Sequence, residues 1–153
     1  MRTYIIRVKL MHQKRTYRDV ELLESAKLYD LAEAILDAFE FEDRSHLFGF
    51  GDNLGDYWSC HQKYSYRPDL DQEPLFFRTK KTEQDVEKTK LSEVEIFRNP
   101  KDKMMFLFDY GDCWEFEVEL RGFGKKELSG EYPRMLQKKG VSPEQYPEYD
   151  DEE

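Results

Sequence analysis

Two carboxylates, Asp109 and Asp112, flank a glycine just before the most regular stretch of the chain, and His46 is the histidine that could join them. Divalent cations such as Mg²⁺ and Ca²⁺ bind carboxylate oxygens, and a carboxylate paired with an imidazole can exchange protons in hydrolysis. The three residues are therefore candidate catalytic residues. Asp and Gly are also the usual residues of a tight turn, and a histidine at the start of an apolar segment is often structural. Both interpretations remain open.

A second candidate site lies in the middle of the chain, where aromatic and basic residues are mixed. Its members are Tyr57, Trp58, Tyr64, Tyr66 and Arg67. Such residues can stack on nucleic-acid bases, but they also pack in cores and at protein interfaces, which is the interpretation we favour. Cys60 and His61 are adjacent, but no second Cys or His pair completes a zinc site.

Composition excludes several functional classes. The 153 residues carry a net charge of −9, and the last ten, 144–153, contain six acids and no base. Nucleic acids bind clustered Lys and Arg, so this balance disfavours nucleic acid as a partner. Two isolated cysteines, without a signal-like or membrane-spanning segment, predict a cytoplasmic protein that makes no membrane contact. No phosphate-binding loop, HExxH or GxSxG motif indicates a common enzyme class.

The elements that must position these candidates are mainly strands. Over residues 114–120, apolar and glutamate side chains alternate with a period of two, which is typical of a half-buried strand. Residues 3–10 alternate in the same way and should pair with 17–23 as an N-terminal hairpin. The continuous apolar run over residues 104–110 predicts a central strand. Short strands are also predicted near residues 46–50 and 75–78.

Charge suggests which strands are neighbours. Arg7 and Lys9 lie on one face of the first strand, and Glu115, Glu117 and Glu119 lie on one face of the later strand. Opposite charges that face each other across neighbouring strands attract. We therefore predict that these two strands lie in the same sheet with those faces together.

Helical periodicity predicts one long amphipathic helix over residues 26–39, with Ser25 as its N-cap. Its apolar face consists of Leu28, Leu31, Ala32, Ile35 and Phe39. Short helices are predicted from Ser92, which begins a Ser-x-x-Glu capping pattern, and over 133–139.

The predicted fold class is α+β. We expect a single compact domain over residues 1–146, with a mostly antiparallel sheet, an N-terminal hairpin, one long amphipathic helix and short additional helices packed on the sheet. The acidic tail, 147–153, is predicted to be disordered because it offers little apolar surface to bury.

The order of these motifs resembles a known family. The matching elements are Leu28-x-x-Leu31, Ser45-His46-Leu47-x-x-Phe50, Lys90-Leu91-Ser92, Phe108-Asp109-Tyr110-Gly111-Asp112-x-Trp114 and Tyr132-Pro133-Arg134. Over residues 3–146 the chain resembles the plasmid pRi ORF-three-like family, also labelled transposon-passenger or TnpR-like proteins. The resemblance implies a compact α+β domain without an established catalytic activity. Trp114 is a matched position and becomes a further candidate binding residue.

The chain departs from that family where metal or redox ligands would lie. Members often read His-Leu-His where this chain has Phe48, and Trp-x-His where it has Phe116. They also often carry cysteines in the segment corresponding to residues 141–145. A site built from those residues is lost or degraded here, so we predict no metal and no cofactor.

The sequence therefore predicts a cytoplasmic, non-enzymatic protein-binding module related to mobile-element passenger proteins. Another protein is the expected partner, engaged through residues 57–67 or a sheet edge.

The alternative is a metal-assisted hydrolase that uses Asp109, Asp112 and His46. A weaker alternative is a nucleic-acid accessory protein, which requires four basic residues on one face. That face would consist of Arg15, Arg18, Lys63 and Arg67. Oligomeric state is left open.

Overall fold

Eight strands form one sheet in the computed structural model, which describes residues 1–66 and 83–146. The strands are β1 (Arg2–Leu10), β2 (Gln13–Leu23), β3 (Phe48–Gly51), β4 (Lys63–Ser65), β5 (Glu83–Asp85), β6 (Lys103–Phe108), β7 (Trp114–Lys125) and β8 (Arg134–Lys139). Their order is β5-β4-β3-β6-β7-β1-β2-β8, and only β4 and β5 are parallel neighbours. The described residues contain one α-helix, α1 (Leu28–Ala38), and two short 3₁₀ helices, Tyr57–Ser59 and Leu91–Glu93.

The predicted α+β class is wrong, because the described chain is mainly β with a single α-helix. Residues 133–139, predicted as a helix, instead contain β8 (Arg134–Lys139), which pairs antiparallel with β2. The segment near Ser92 forms only the single turn Leu91–Glu93. Local helix propensity is a weak preference, and pairing with a neighbouring strand outweighs it at β8. Strand and turn thus replace the expected additional helices.

The predicted strand pairings near the N-terminus are confirmed. β1 and β2 form the antiparallel hairpin, and β7 pairs with the other side of β1. Arg7 lies opposite Glu119 and Lys9 opposite Glu117 in this register. The Nζ atom of Lys9 is 3.7 Å from the Glu117 carboxylate. Charge complementarity therefore correctly predicted that these two strands lie in the same sheet with their charged faces together, and the structure adds that they are antiparallel neighbours.

α1 covers one face of the sheet and forms the main core with it. The five apolar residues predicted for its inner face are all buried. The helix is shorter than predicted and begins after Lys27 rather than Ser25, with the Asp30 carboxylate accepting a hydrogen bond from the Lys27 N–H. An acidic side chain in the first turn also interacts favourably with the helix dipole. Strand residues complete this core: Tyr4, Ile6, Val8, Val20, Leu22, Phe48, Phe50, Met104, Phe106, Phe116 and Val118.

The opposite face of the sheet is ionic over β1, β2 and β7. The Arg7 guanidinium is 2.8 Å from the Asp19 carboxylate, and Arg134 is 2.8 Å from Glu21. A small apolar cluster of Tyr57, Met105 and Leu107 covers the same face near β3 and β6. The main core thus lies on the helix side alone, and the other face presents charge and aromatic rings.

Cys60 and Cys113 are free thiols. None of the described helices has the length and hydrophobicity needed to cross a bilayer. The strand predicted at 75–78, Arg67 and the acidic tail at 147–153 fall outside the described residues.

Candidate functional site

Asp109 caps the turn between β6 and β7. Its φ of 65° is in the left-handed region, which Asp tolerates better than most residues. Its Oδ1 atom accepts hydrogen bonds from the N–H groups of Gly111 at 3.0 Å and Asp112 at 3.2 Å. One oxygen of this carboxylate is therefore used to hold its own turn, as the turn interpretation predicts.

The other oxygen of Asp109 faces His46. Its Oδ2 atom is 3.5 Å from His46 Nε2, which is also 3.3 Å from Asp43 Oδ2. The Tyr146 hydroxyl lies 2.7 Å from the same nitrogen and donates a hydrogen bond to Asp43 at 2.8 Å. The structure thus brings two of the three predicted catalytic residues together, and adds Asp43 and Tyr146, which sequence reasoning did not identify.

Two groups beside His46, Asp43 and Tyr146, have pKa values shifted away from neutral pH. Hydrogen bonds from the Ser45 hydroxyl and N–H, and then from Tyr146, lower the pKa of the Asp43 carboxyl. The hydrogen bond to Asp43 raises the pKa of Tyr146 to about 12. Gln145 adds two hydrogen bonds to the backbone of Asp43. This cluster is therefore suited to fixing the segment at residues 145–146 against the rest of the domain.

Asp112 is not part of the His46 cluster. Its side chain is exposed and forms no hydrogen bond or ion pair within residues 1–66 and 83–146. In the same residues, no group of three or more His, Cys, Asp and Glu side chains is arranged to hold a metal ion.

The predicted aromatic cluster is divided between the two faces of the sheet. Tyr64 is fully buried in the main core, and Tyr66 stacks on Phe48 with ring centroids 5.2 Å apart. Tyr57 and Trp58 lie on the other side, in a 3₁₀ helix capped by a hydrogen bond from the Trp58 N–H to the Asp56 carboxylate. Alternation along β4 places Tyr64 toward the helix side. Only Trp58 of these four aromatic residues is well exposed.

Tyr57, Trp58 and Tyr110 form a compact group, the aromatic patch. The ring centroids of Trp58 lie 5.1 Å from Tyr57 and 5.0 Å from Tyr110, both edge to face. The Lys63 ammonium lies 5.6 Å from the Trp58 ring centroid, within cation–π range. Burial is the main cause of the raised pKa of Tyr57. Tyr110 was missed from the sequence because it is more than fifty residues away from the other two rings.

Gly49 lies directly against the Tyr57 side chain of the aromatic patch, and Gly49→Ala should displace that side chain. A Cβ atom at Gly49 would overlap the Tyr57 ring, which must then move and take Trp58 with it. Overpacking of this kind destabilises a protein by about 1–2 kcal/mol. We expect a lower urea midpoint together with a shifted Trp emission maximum. Gly122→Ala is the matched control, because nothing lies within 4 Å of a Cβ at that strand position. An unchanged emission spectrum for both variants would contradict the prediction.

Arg18 is not available to a nucleic acid. It is fully buried beneath α1, and its guanidinium donates to the backbone oxygens of Ala38, Tyr17 and Lys139. The face that the nucleic-acid alternative required therefore lacks one of its four members, and Arg67 lies outside the described residues. The sequence already indicated that Arg18 is buried, because it shares the strand face of Val20 and Leu22.

A cleft of about 730 Å³ opens where the β1–β2 turn, the start of β7 and residues 143–146 meet. Its walls consist of Leu10, Met11, His12, Gln13, Asp112, Cys113, Trp114, Glu115, Pro143, Glu144, Gln145 and Tyr146. The Trp114 ring packs edge to face on Phe41 at 4.9 Å, and its Nε1 atom is buried without a hydrogen-bond partner in the described residues. Sequence reasoning selected Trp114 and Asp112 but missed the cleft, since its walls come from three distant segments.

Comparison with known proteins identifies a family and a similar fold. The model of the plasmid pRiA4b ORF-3-like protein family matches residues 2–147, which confirms the family that the sequence motifs predict. No curated protein matches the chain significantly. The chain is similar to the crystal structure of a protein of unknown function from Methanosarcina mazei Go1, with a TM-score of 0.70 and 21% identity over 93% of this chain and 71% of that one. At this identity the similarity supports the fold alone.

Proposed function

The chain belongs to the plasmid pRiA4b ORF-3-like protein family, and from that premise we propose that it is a non-enzymatic module that binds another protein. The proposal rests on one observation: Trp58 is 58% exposed although packed rings hold it in place. A rigid aromatic ring buries a large area on binding at low entropic cost, and Trp is enriched among the residues that dominate binding energy. A partner would cover Trp58 at the aromatic patch.

The surroundings of Trp58 support an interface. Below it, the apolar cluster of Tyr57, Met105 and Leu107 is buried, with Leu54 and Met11 packed at its edge. The Lys63 ammonium lies near the ring, and the Asp56 carboxylate caps the short helix that carries Trp58. An apolar centre with a polar rim is the usual anatomy of a protein interface. A nucleic acid is disfavoured as the occupant, because the chain carries 33 acidic against 24 basic residues.

Trp58→Ala should abolish capture of the partner without unfolding the protein. Loss of a central aromatic anchor costs about 2 kcal/mol or more of binding free energy, so the dissociation constant should rise at least about thirtyfold. The exposed ring contributes little to the core, so the melting temperature should change by only a few degrees, roughly. The measurement is affinity capture from host-cell lysate by the wild-type protein, followed by titration of each captured protein against both forms.

Leu128→Ala is the matched control, since Leu128 is a fully exposed apolar residue outside the aromatic patch. The proposal is supported if a captured protein binds the wild type and Leu128→Ala with equal affinity but does not bind Trp58→Ala. Capture of no protein at all, or equal affinity for wild type and Trp58→Ala, would remove the aromatic patch as the binding surface.

A further inference from the structure

We propose that the cleft between the β1–β2 turn, the start of β7 and residues 143–146 binds an organic cation, with an amine or guanidinium group as the part recognised. The cleft is separate from the exposed ring of Trp58, and the proposal does not depend on the protein-binding function. A volume of about 730 Å³ lies within the range of small-molecule and side-chain binding sites.

The charge of the cleft walls favours a cationic ligand. Among the described residues, three carboxylates line the cleft, from Asp112, Glu115 and Glu144, and neither Lys nor Arg does. His12 also lines the cleft, and its Nε2 atom is 3.5 Å from the Glu115 carboxylate. A cleft lined by one sign of charge attracts the opposite charge and raises its local concentration. An anionic ligand would meet repulsion from all three carboxylates.

The aromatic walls select an organic cation over a metal ion. Trp114 and Tyr146 both line the cleft, with the apolar side chains of Leu10 and Met11 beside them. Aromatic faces attract ammonium and guanidinium groups, and Trp does so most strongly. The apolar part of such a ligand would bury surface against the aliphatic walls. The described residues provide no group of carboxylates and imidazoles arranged for a metal.

Asp112 and Tyr146 are the residues that the structure prepares for this ligand. The Asp112 backbone is fixed by the hydrogen bond to Asp109, while its carboxylate has no partner within residues 1–66 and 83–146. Tyr146 is fixed by its hydrogen bonds with Asp43 and His46. Groups held in place before binding lose less entropy when a ligand arrives. The His46 cluster, predicted as catalytic, thus acts as the support of one wall of the cleft.

Titration of Trp114 fluorescence tests the proposal directly. The chain contains two tryptophans, so the Trp58→Phe background leaves Trp114 as the reporter. Three probes are needed: agmatine as a free organic cation, acetyl-Gly-Arg-Gly-amide as a basic side chain on a peptide, and the neutral citrulline analogue of that peptide. We expect saturable quenching by a cationic probe, weakened by added salt, and binding of the neutral analogue at least about tenfold weaker than that of the arginine peptide.

Asp112→Asn in the same background should weaken binding of the cationic probe by about tenfold, because it removes an unpaired charge and leaves the turn intact. Glu131→Gln is the control, since Glu131 is exposed and does not line the cleft. Binding of the peptide alone would identify a basic protein segment as the ligand, and binding of agmatine would identify a free organic cation. No response to either cation, equal binding of the citrulline peptide, or unchanged affinity in Asp112→Asn would overturn the proposal.

Discussion

Arg18→Met should destabilise the protein by about 3–4 kcal/mol, which is a large fraction of the stability of a single domain. Arg18 has no exposed surface, and its guanidinium is 3.0 Å from the Ala38 oxygen, 2.8 Å from the Lys139 oxygen and 2.8 Å from the Ser142 hydroxyl. It thereby joins the end of α1 to β8 and to the segment that follows. Methionine fills a similar volume but leaves the buried Ala38 oxygen without its donor, and the part-buried oxygens of Lys139 and Ser142 also lose theirs.

The mechanism is distinct from a buried ion pair. Apolar replacement of a buried ion pair is often neutral, because both charges disappear together. Arg18 instead donates to neutral oxygens, and burial lowers the pKa of its guanidinium. Arg18→Lys should also be destabilising, because one ammonium cannot reproduce a planar group that donates in four directions.

Urea unfolding at neutral pH measures this effect, as a lower midpoint with an unchanged slope. Arg15→Met is the matched control, because Arg15 lies on the same strand and is exposed. Its effect should stay within about 0.5 kcal/mol. If Arg18→Met and Arg15→Met unfolded at the same urea concentration, the buried guanidinium would have no structural role.

Glu117→Gln should destabilise the protein by about 2–3 kcal/mol at neutral pH. Its side chain is only 3% exposed and is surrounded by three ammonium groups: Lys14 at 3.1 Å, Lys9 at 3.7 Å and Lys103 at 3.8 Å. A neutral amide leaves three like charges gathered around one buried position. The lysines reach solvent in part, which allows some relaxation and places the expected effect below that of Arg18→Met.

The effect should depend on pH in a defined direction. Burial acts to raise the pKa of Glu117, but the hydrogen bond from Lys14 and the charges of Lys103, Lys14 and Lys9 outweigh it, so the pKa is lowered. The folded state then binds fewer protons than the unfolded state in mild acid. The stabilisation is fully present above the unfolded-state pKa of about 4.3 and is lost as pH falls through the lower folded-state pKa.

Urea midpoints between about pH 7 and pH 3 for wild type and Glu117→Gln measure this difference. The two curves should converge in acid, where the wild-type carboxyl also becomes neutral. Glu115→Gln serves as the control, since Glu115 is on the same strand face but 31% exposed, and among the described residues its ion pair is with His12. If the urea midpoints of wild type and Glu117→Gln differed by the same amount at every pH, the shape of Glu117 rather than its charge would be the source of the stabilisation.

Local patterns predicted the elements whose side chains repeat regularly. The period of two in residues 114–120 predicted β7, and the helical spacing of Leu28, Leu31 and Ile35 predicted the buried face of α1. Both follow from backbone geometry, since a strand or helix places side chains on one face at fixed intervals. The complementary charges of Arg7, Lys9 and the later glutamates even predicted a non-local pairing.

The candidate site was predicted only in part. Asp109 and His46 were selected for their chemistry and do lie together. Asp112 was selected with them, but its side chain lines the cleft instead. Tyr64 was placed in a binding segment and is buried in the core, because the face of a three-residue strand is set by its neighbours rather than by its own pattern.

The sequence by itself determined the alternating strands, the apolar face of the helix, the turn at Asp109 and the family. Tertiary structure alone decided that Arg134–Lys139 form β8, which oxygens surround the Arg18 guanidinium, and that three distant segments close a cleft. The physical reason is the range of the interactions. Periodicity and turns depend on neighbouring residues, whereas edge pairing, burial of a charge and the walls of a cavity depend on segments that meet only when the whole sheet has formed.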